Sequence, residues 1–209
     1  MNTQAPRAEP GHPRPLRRRA LAVAATTIAL LGAAAPAAAH TPVLLGPDDT
    51  AQHLDTSPLA PTGTISFAFY TRTGSAGDTR AVRIQLTEGQ PFHAQLLIPD
   101  LAPETGLPAP QLPHLTILDP GGHATTPDNA GRTPFFEPVT QTSYLTLTDT
   151  IAPAQTGTYT LIATGTAPAR FVIATGDTEQ FDAPLVGATA ATPLDVQTWY
   201  RTPPLPGTG

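Results

Sequence analysis

The sequence predicts an all-β fold: an antiparallel β-sandwich or jelly roll of about seven to eight short strands, behind an N-terminal signal-peptide helix. Three observations predict it. Apolar residues recur at every second position in a series of short windows. Clusters of Gly, Asp and Pro punctuate those windows. The chain carries 26 prolines, and no window joins helical periodicity to a recognisable capping box.

The leader comes first. Residues 1–19 are polar and end in Arg17-Arg18-Arg19, and an apolar run follows from Ala20 to about Ala35. Pro36 breaks the run, and Ala37-Ala38-Ala39 supplies the small residues of a cleavage site. Cleavage after Ala39 makes His40 the new terminus; cleavage after Ala37 is the alternative, and an uncleaved anchor is the other reading of the segment. The apolar run is shorter than the about twenty residues a membrane helix needs, so no span is expected once the leader is removed. Leu16-Arg17-Arg18-Arg19-Ala20-Leu21 contains an arginine pair, so both Sec and the twin-arginine route are open. The expected destination is the outside of the cell or its envelope.

After the leader, His40 to Thr62 reads as irregular, with Pro42, Pro58 and Pro61. Strand signals begin at Gly63, where Ile65, Phe67 and Phe69 alternate. Gly74 to Asp78 is a turn. Val82, Ile84 and Leu86 form the apolar side of the next strand, and Phe92, Ala94, Leu96 and Ile98 that of the one after. Residues 99–113 form a proline-rich connection, read as a stiff crossover between two sheets. His114–Leu118 is a short strand closed by Asp119-Pro120-Gly121-Gly122, a strong turn. Residues 123–138 read as a loop. Ser143–Asp149, Gly157–Thr164 and Ala169–Thr175 alternate again, and a further short strand is placed near Pro184–Val186. Leu194–Arg201 is a short helical turn holding Trp199. The expected organisation is a signal peptide at 1–39, an irregular segment at 40–62, a β-sandwich at 63–190 and a tail at 191–209.

Composition removes several function classes. There is no cysteine, which excludes disulfides and thiolate chemistry. There is no lysine, and residues 40–209 hold six arginines against fifteen acids, a net charge of −9. Such an acidic domain lacks the basic stripe that a nucleic acid requires. No glycine loop for phosphates or dinucleotides is present.

Parts of the chain resemble a known domain. Arg80–Ile98 resembles a strand pair of the bacterial pre-peptidase C-terminal domain, as do Gly157-Thr158-Tyr159-Thr160-Leu161 and Arg170-Phe171-Val172-Ile173-Ala174. The chain is also similar to uncharacterised exported His-Thr-Pro proteins of bacteria and archaea. The matching segments are His40-Thr41-Pro42, Asp119-Pro120-Gly121-Gly122, Glu137-Pro138 and Ser143-Tyr144. The resemblance implies a β-sandwich and export, and implies no reaction.

Among candidate site residues, His40 stands first. As a terminal residue it offers both its α-amine and a ring nitrogen to one metal ion, and nitrogen donors of this kind suit copper. Such a site is expected to need at least one further histidine, from His53, His93, His114 or His123; His114 and His123 flank a strand and its turn, and the carboxylate of Glu137 is expected to complete the sphere. Asp48-Asp49 and Asp119 with Asp128-Asn129 read as turn chemistry rather than calcium ligands. For hydrolysis, residues 40–209 offer Ser57, Ser66, Ser75 and Ser143, none in a Gly-x-Ser-x-Gly elbow. Phe135-Phe136, Trp199 and Tyr200 fall outside the alternation and are expected to cap the sandwich. The functional expectation is an exported, non-catalytic β-sandwich binding or accessory domain for an extracellular or envelope ligand. Its alternatives are a copper-binding protein using His40 and a secreted hydrolase.

Overall fold

The computed structural model describes residues 1–2, 40–180 and 182–204. Apart from Met1 and Asn2, the expected signal peptide at 1–39 lies outside the described residues. The fold belongs to the unit Ala35–Gly209.

The chain forms the all-β sandwich that the alternation predicts. Its strands are β1 (Thr41–Leu44), β2 (Leu59–Ala60), β3 (Phe67–Thr73), β4 (Thr79–Leu86), β5 (Pro91–Pro99), β6 (His114–Leu118), β7 (Ala124–Thr125), β8 (Thr133–Glu137), β9 (Thr142–Pro153), β10 (Gly157–Thr164) and β11 (Ala169–Thr175), followed by helix α1 (Pro193–Arg201). One sheet has six strands in the order β1-β3-β11-β5-β9-β8; the other has five, in the order β2-β4-β10-β6-β7.

The seven strands β3–β6 and β9–β11 fall where period-two alternation places them. The differences lie at the edges. The segment expected to be irregular contributes β1 and β2, and both pair parallel to their neighbours, β1 with β3 and β2 with β4. The sheets are therefore mixed rather than wholly antiparallel. The segment 123–138, expected as a loop, carries β7 and β8. No strand forms at Pro184–Val186, but Val186 makes an isolated bridge to Leu59.

Consecutive strands rarely pair, because the chain changes sheet at most connections. The turn after β3 is such an arch: the Asp78 carboxylate accepts hydrogen bonds from the backbone N–H groups of Gly74 and Ser75, both at 2.9 Å. The proline-rich segment after β5 carries the chain from one sheet to the other, as expected. It contains two 3-10 turns, Glu104–Gly106 and Ala109–Gln111.

Two apolar clusters result. The main core lies between the sheets and includes Phe67, Phe69, Ile84, Leu96, Leu161 and Phe171. Burying each such side chain contributes about 1.5–3 kcal/mol. The opposite face of the six-stranded sheet holds a second cluster with Ala68, Tyr70, Leu97, Tyr144 and Val172, covered by Val196 and Trp199 of α1. Strands β3 and β11 are thus buried on both faces, which is why Phe67-Ala68-Phe69-Tyr70 and Phe171-Val172-Ile173-Ala174 read as unbroken apolar runs.

Helix α1 is capped by a box in which the Thr192 hydroxyl accepts from the Asp195 N–H while the Asp195 carboxylate accepts from the Thr192 N–H. This corrects the expectation that no capping box exists: Asp at the third position does the work more often given to Glu or Gln. Pro193 at the first turn fits a helix start.

Candidate functional site

The six-stranded sheet curls so far that its two edges meet. His40 directly precedes β1 at one edge, and Glu137 ends β8 at the other. In a flat sheet five strand spacings would hold them about 24 Å apart. Instead His40 Nδ1 lies 3.8 Å from Glu137 Oε2. The rings trace the same curl. Tyr70 of β3 and Tyr144 of β9 have centroids 6.4 Å apart although two strands separate them in the sheet. His40 meets the edge of Phe135 at 6.5 Å.

Two features cause the curl. The pairing of β5 with β9 shifts register between Leu96 and Leu97, leaving Leu147 as an extra residue in β9. Such a bulge bends its strand and increases the local twist. Helix α1 then spans the bend. The Trp199 indole N–H donates to the Thr71 carbonyl of β3 at 3.0 Å, while the Tyr200 hydroxyl donates to the Ser143 carbonyl of β9 at 2.7 Å. Gln197 adds a bond from its amide to the Thr140 carbonyl, at 3.0 Å.

Each partner of the meeting pair is held locally. The Thr41 N–H donates to the Ser66 carbonyl at 2.9 Å, fixing the backbone directly after His40. Glu137 is buried, and its Oε1 accepts the Val139 N–H at 3.0 Å, which leaves Oε2 to face His40. A cavity of about 280 Å³ opens beside the pair, bounded also by Thr41, Val139, Thr140, Asp182 and Ala191. Tyr70 borders it as well. Burial, the adjoining Tyr144 and the Glu137 carboxylate hold the Tyr70 hydroxyl well above the ordinary phenol range. Burial likewise raises Tyr144. Both phenols are therefore neutral hydrogen-bonding groups at neutral pH. The cavity walls are largely apolar, from Pro42, Val139, Ala191 and Pro193, with two carboxylates and a histidine that favour a positively charged or hydrogen-bonding group at one place.

No protein-family model matches the chain, and no curated protein matches it.

Of the residues expected to bind metal, the fold joins His40 and Glu137 and separates the other two from them. His114 begins β6 in the five-stranded sheet. His123, in the turn beyond, is exposed and bonded to Asp119: its N–H donates to Asp119 Oδ1 at 2.9 Å. Hence His40, His114, His123 and Glu137 do not form one cluster: His114 lies on β6 of the other sheet and His123 in the turn that follows it. Among the described residues no group of three or more His, Asp or Glu side chains is arranged to hold a metal ion.

The remaining histidines and the turn aspartates have structural partners. His53 is exposed, its ring 3.2 Å from the Asp48 carbonyl. His93 points away from the core, as its place in the alternation implies, with its two ring nitrogens 2.5 Å from Asp177 and 2.9 Å from Asp149. Asp49 accepts the Gly46 N–H at 2.7 Å, which is turn chemistry as expected. Backbone donation from His123 lowers Asp119 below the usual carboxylate range. Among the serines, Ser57 donates to the His53 carbonyl at 3.0 Å, and the Ser66 hydroxyl is buried without a hydrogen-bond partner.

Sequence reasoning missed Tyr70, Val139, Thr140 and Asp182 as parts of the site. For Tyr70 a signal existed: Ala68 and Tyr70 are apolar on the face opposite Phe67 and Phe69, so that face also had to be covered. For the other three the signal lies in the curl, which no local pattern encodes.

Proposed function

We propose that the chain is an exported, non-catalytic β-sandwich binding module whose ligand occupies the cavity beside His40 and Glu137. The observation that carries this reading is the approach of those two residues from opposite edges of one sheet. A buried carboxylate oxygen is left facing an imidazole nitrogen at 3.8 Å, and the two groups stand at the wall of a largely apolar cavity. Glu137 Oε1 already accepts the Val139 N–H, and a cationic or hydrogen-bonding ligand adds a partner for Oε2. The polar-then-apolar leader ending in Ala37-Ala38-Ala39 supports export.

The test is a ligand panel of divalent metal ions, organic cations and neutral saccharides, read by amide NMR. A binding module gives saturable shifts at Thr41, Val139, Thr140 and Ala191 with at least one class, and the ligand is recovered unchanged. Turnover of a panel member, abolished by substituting one serine or carboxylate, would establish the hydrolase alternative instead. Shifts confined to residues outside the cavity would also overturn the reading.

A further inference from the structure

We propose that the ligand of this cavity is a single copper(II) ion, held by the α-amine and Nδ1 of His40 and by Oε2 of Glu137. The proposal rests on the binding-module reading and on cleavage after Ala39.

Geometry supports a shared ion at this place. The separation of 3.8 Å between His40 Nδ1 and Glu137 Oε2 is too long for a hydrogen bond. Two ligands bonded at about 2.0–2.2 Å to one ion reach up to about 4 Å apart, so the gap fits an ion between them. The ring nitrogen that faces Glu137 is Nδ1, the one nearer the backbone. With the terminal amine it closes a six-membered chelate ring on one metal, which the other ring nitrogen cannot do.

Both ends of the site are fixed before any ion arrives. The parallel register Thr41↔Phe67 and the bond from the Thr41 N–H to the Ser66 carbonyl hold the backbone next to the amine. The Val139 N–H orients the Glu137 carboxylate. The amine explains why the site is not a cluster of three side chains: its third donor is created by processing. Asp182 on the wall adds negative charge that favours a cation.

The donor set selects the metal. It contains two nitrogens and one oxygen and no sulfur; the chain has no cysteine, and its only methionine is Met1. Copper(I) prefers thiolate and thioether ligands, whereas copper(II) takes tetragonal nitrogen and oxygen sites and binds most strongly among the divalent first-row ions.

The absence of lysine makes the test clean, because the α-amine is then the only primary amine in the chain. Exported protein whose mass begins at His40 is titrated with copper(II) against a chelator of known affinity, before and after acetylation of that amine. The expected result is one copper(II) per chain, with an electron paramagnetic resonance spectrum showing nitrogen coupling, and paramagnetic broadening of the amides of Thr41, Val139 and Thr140. Acetylation and His40→Ala should each weaken binding on the order of a hundredfold, and Glu137→Gln by about tenfold. Unchanged affinity after acetylation overturns the terminal chelate. If copper(II) leaves these amides sharp while another ligand class shifts them, copper is wrong and the binding cavity stands. If neither disturbs them, both readings fall.

Discussion

Glu104 and Arg170, 66 residues apart, form a buried bidentate ion pair that locks the crossover onto β11. Arg170 Nε donates to Glu104 Oε1 at 2.9 Å and Arg170 Nη2 to Oε2 at 2.6 Å. The Arg170 backbone N–H also donates to Oε1, at 2.7 Å. The same guanidinium bonds the carbonyls of Ala102 and of Tyr200, so one side chain ties the crossover, β11 and the end of α1 together.

Removing one partner leaves the other charge buried and unpaired. Arg170→Met should therefore cost about 3–5 kcal/mol, and the double variant Glu104→Leu/Arg170→Met should recover a large part of that loss. Urea denaturation followed by circular dichroism measures both. Equal destabilisation by the single and double variants would show that the pair is not the source of the effect.

Helix α1 closes the curl, so its anchor has a cost. Trp199 is the only tryptophan, is buried, and packs edge-on against Tyr70 with centroids 5.0 Å apart. Trp199→Ala should destabilise by about 3–5 kcal/mol. It should also move the amide signals of Thr140 and Ser143, which α1 holds through Gln197 and Tyr200. A loss under about 1 kcal/mol, with those signals unmoved, would mean that the curl stands without its clasp.

The position most intolerant of a side chain is Gly176. Its φ is +68°, and a Cβ there would lie 2.2 Å from the Ile65 carbonyl oxygen. The obstacle is backbone, which cannot rotate away. Gly176→Ala should cost about 1–2 kcal/mol from conformation alone, with the overlap added. Each kcal/mol lowers the melting temperature by about 2–4 °C in a domain of this size. An unchanged melting temperature would contradict the close approach of β11's end to Ile65.

The strands were legible where both halves of the pattern were present. Val82, Ile84 and Leu86 alternate with polar residues because β4 has one wet face, and Pro99 and Gly121 mark where strands stop. Strands β1 and β2 were hidden because they are four and two residues long, lie next to prolines, and add to the sheets through parallel pairing with β3 and β4. Strand β8 hid behind Pro134, which an edge strand tolerates. Of the site, His40 and Glu137 were legible as chemistry. Their meeting was not, since it depends on a bulge at Leu147 and on the hold of α1 over Tyr70. His114 and His123 lie apart from that pair for a different reason: adjacency along a strand and its turn does not say which sheet that strand joins.

Alkaline pH offers a test of the second cluster in the metal-free protein. Tyr70 and Tyr144 have folded-state values above the unfolded value of 10.0, chiefly through burial. A raised value means that the folded state keeps protons the unfolded state gives up. Their stabilisation is complete below pH 10 and declines as pH rises above it. Phenolate absorbance at these two residues should therefore appear together with loss of the fold. Subtracting the titration curves of Tyr70→Phe and Tyr144→Phe isolates them. Ordinary titration near pH 10 in a protein that is still folded would contradict their burial.

The copper site requires His40 to be a chain terminus beside Glu137, and the intact mass of the protein recovered from an exporting cell tests that most directly. The mass should equal that of residues 40–209. A chain that begins at any other residue, or that keeps the leader, would rule out the copper chelate, because the amine would then lie away from the 3.8 Å gap between His40 and Glu137.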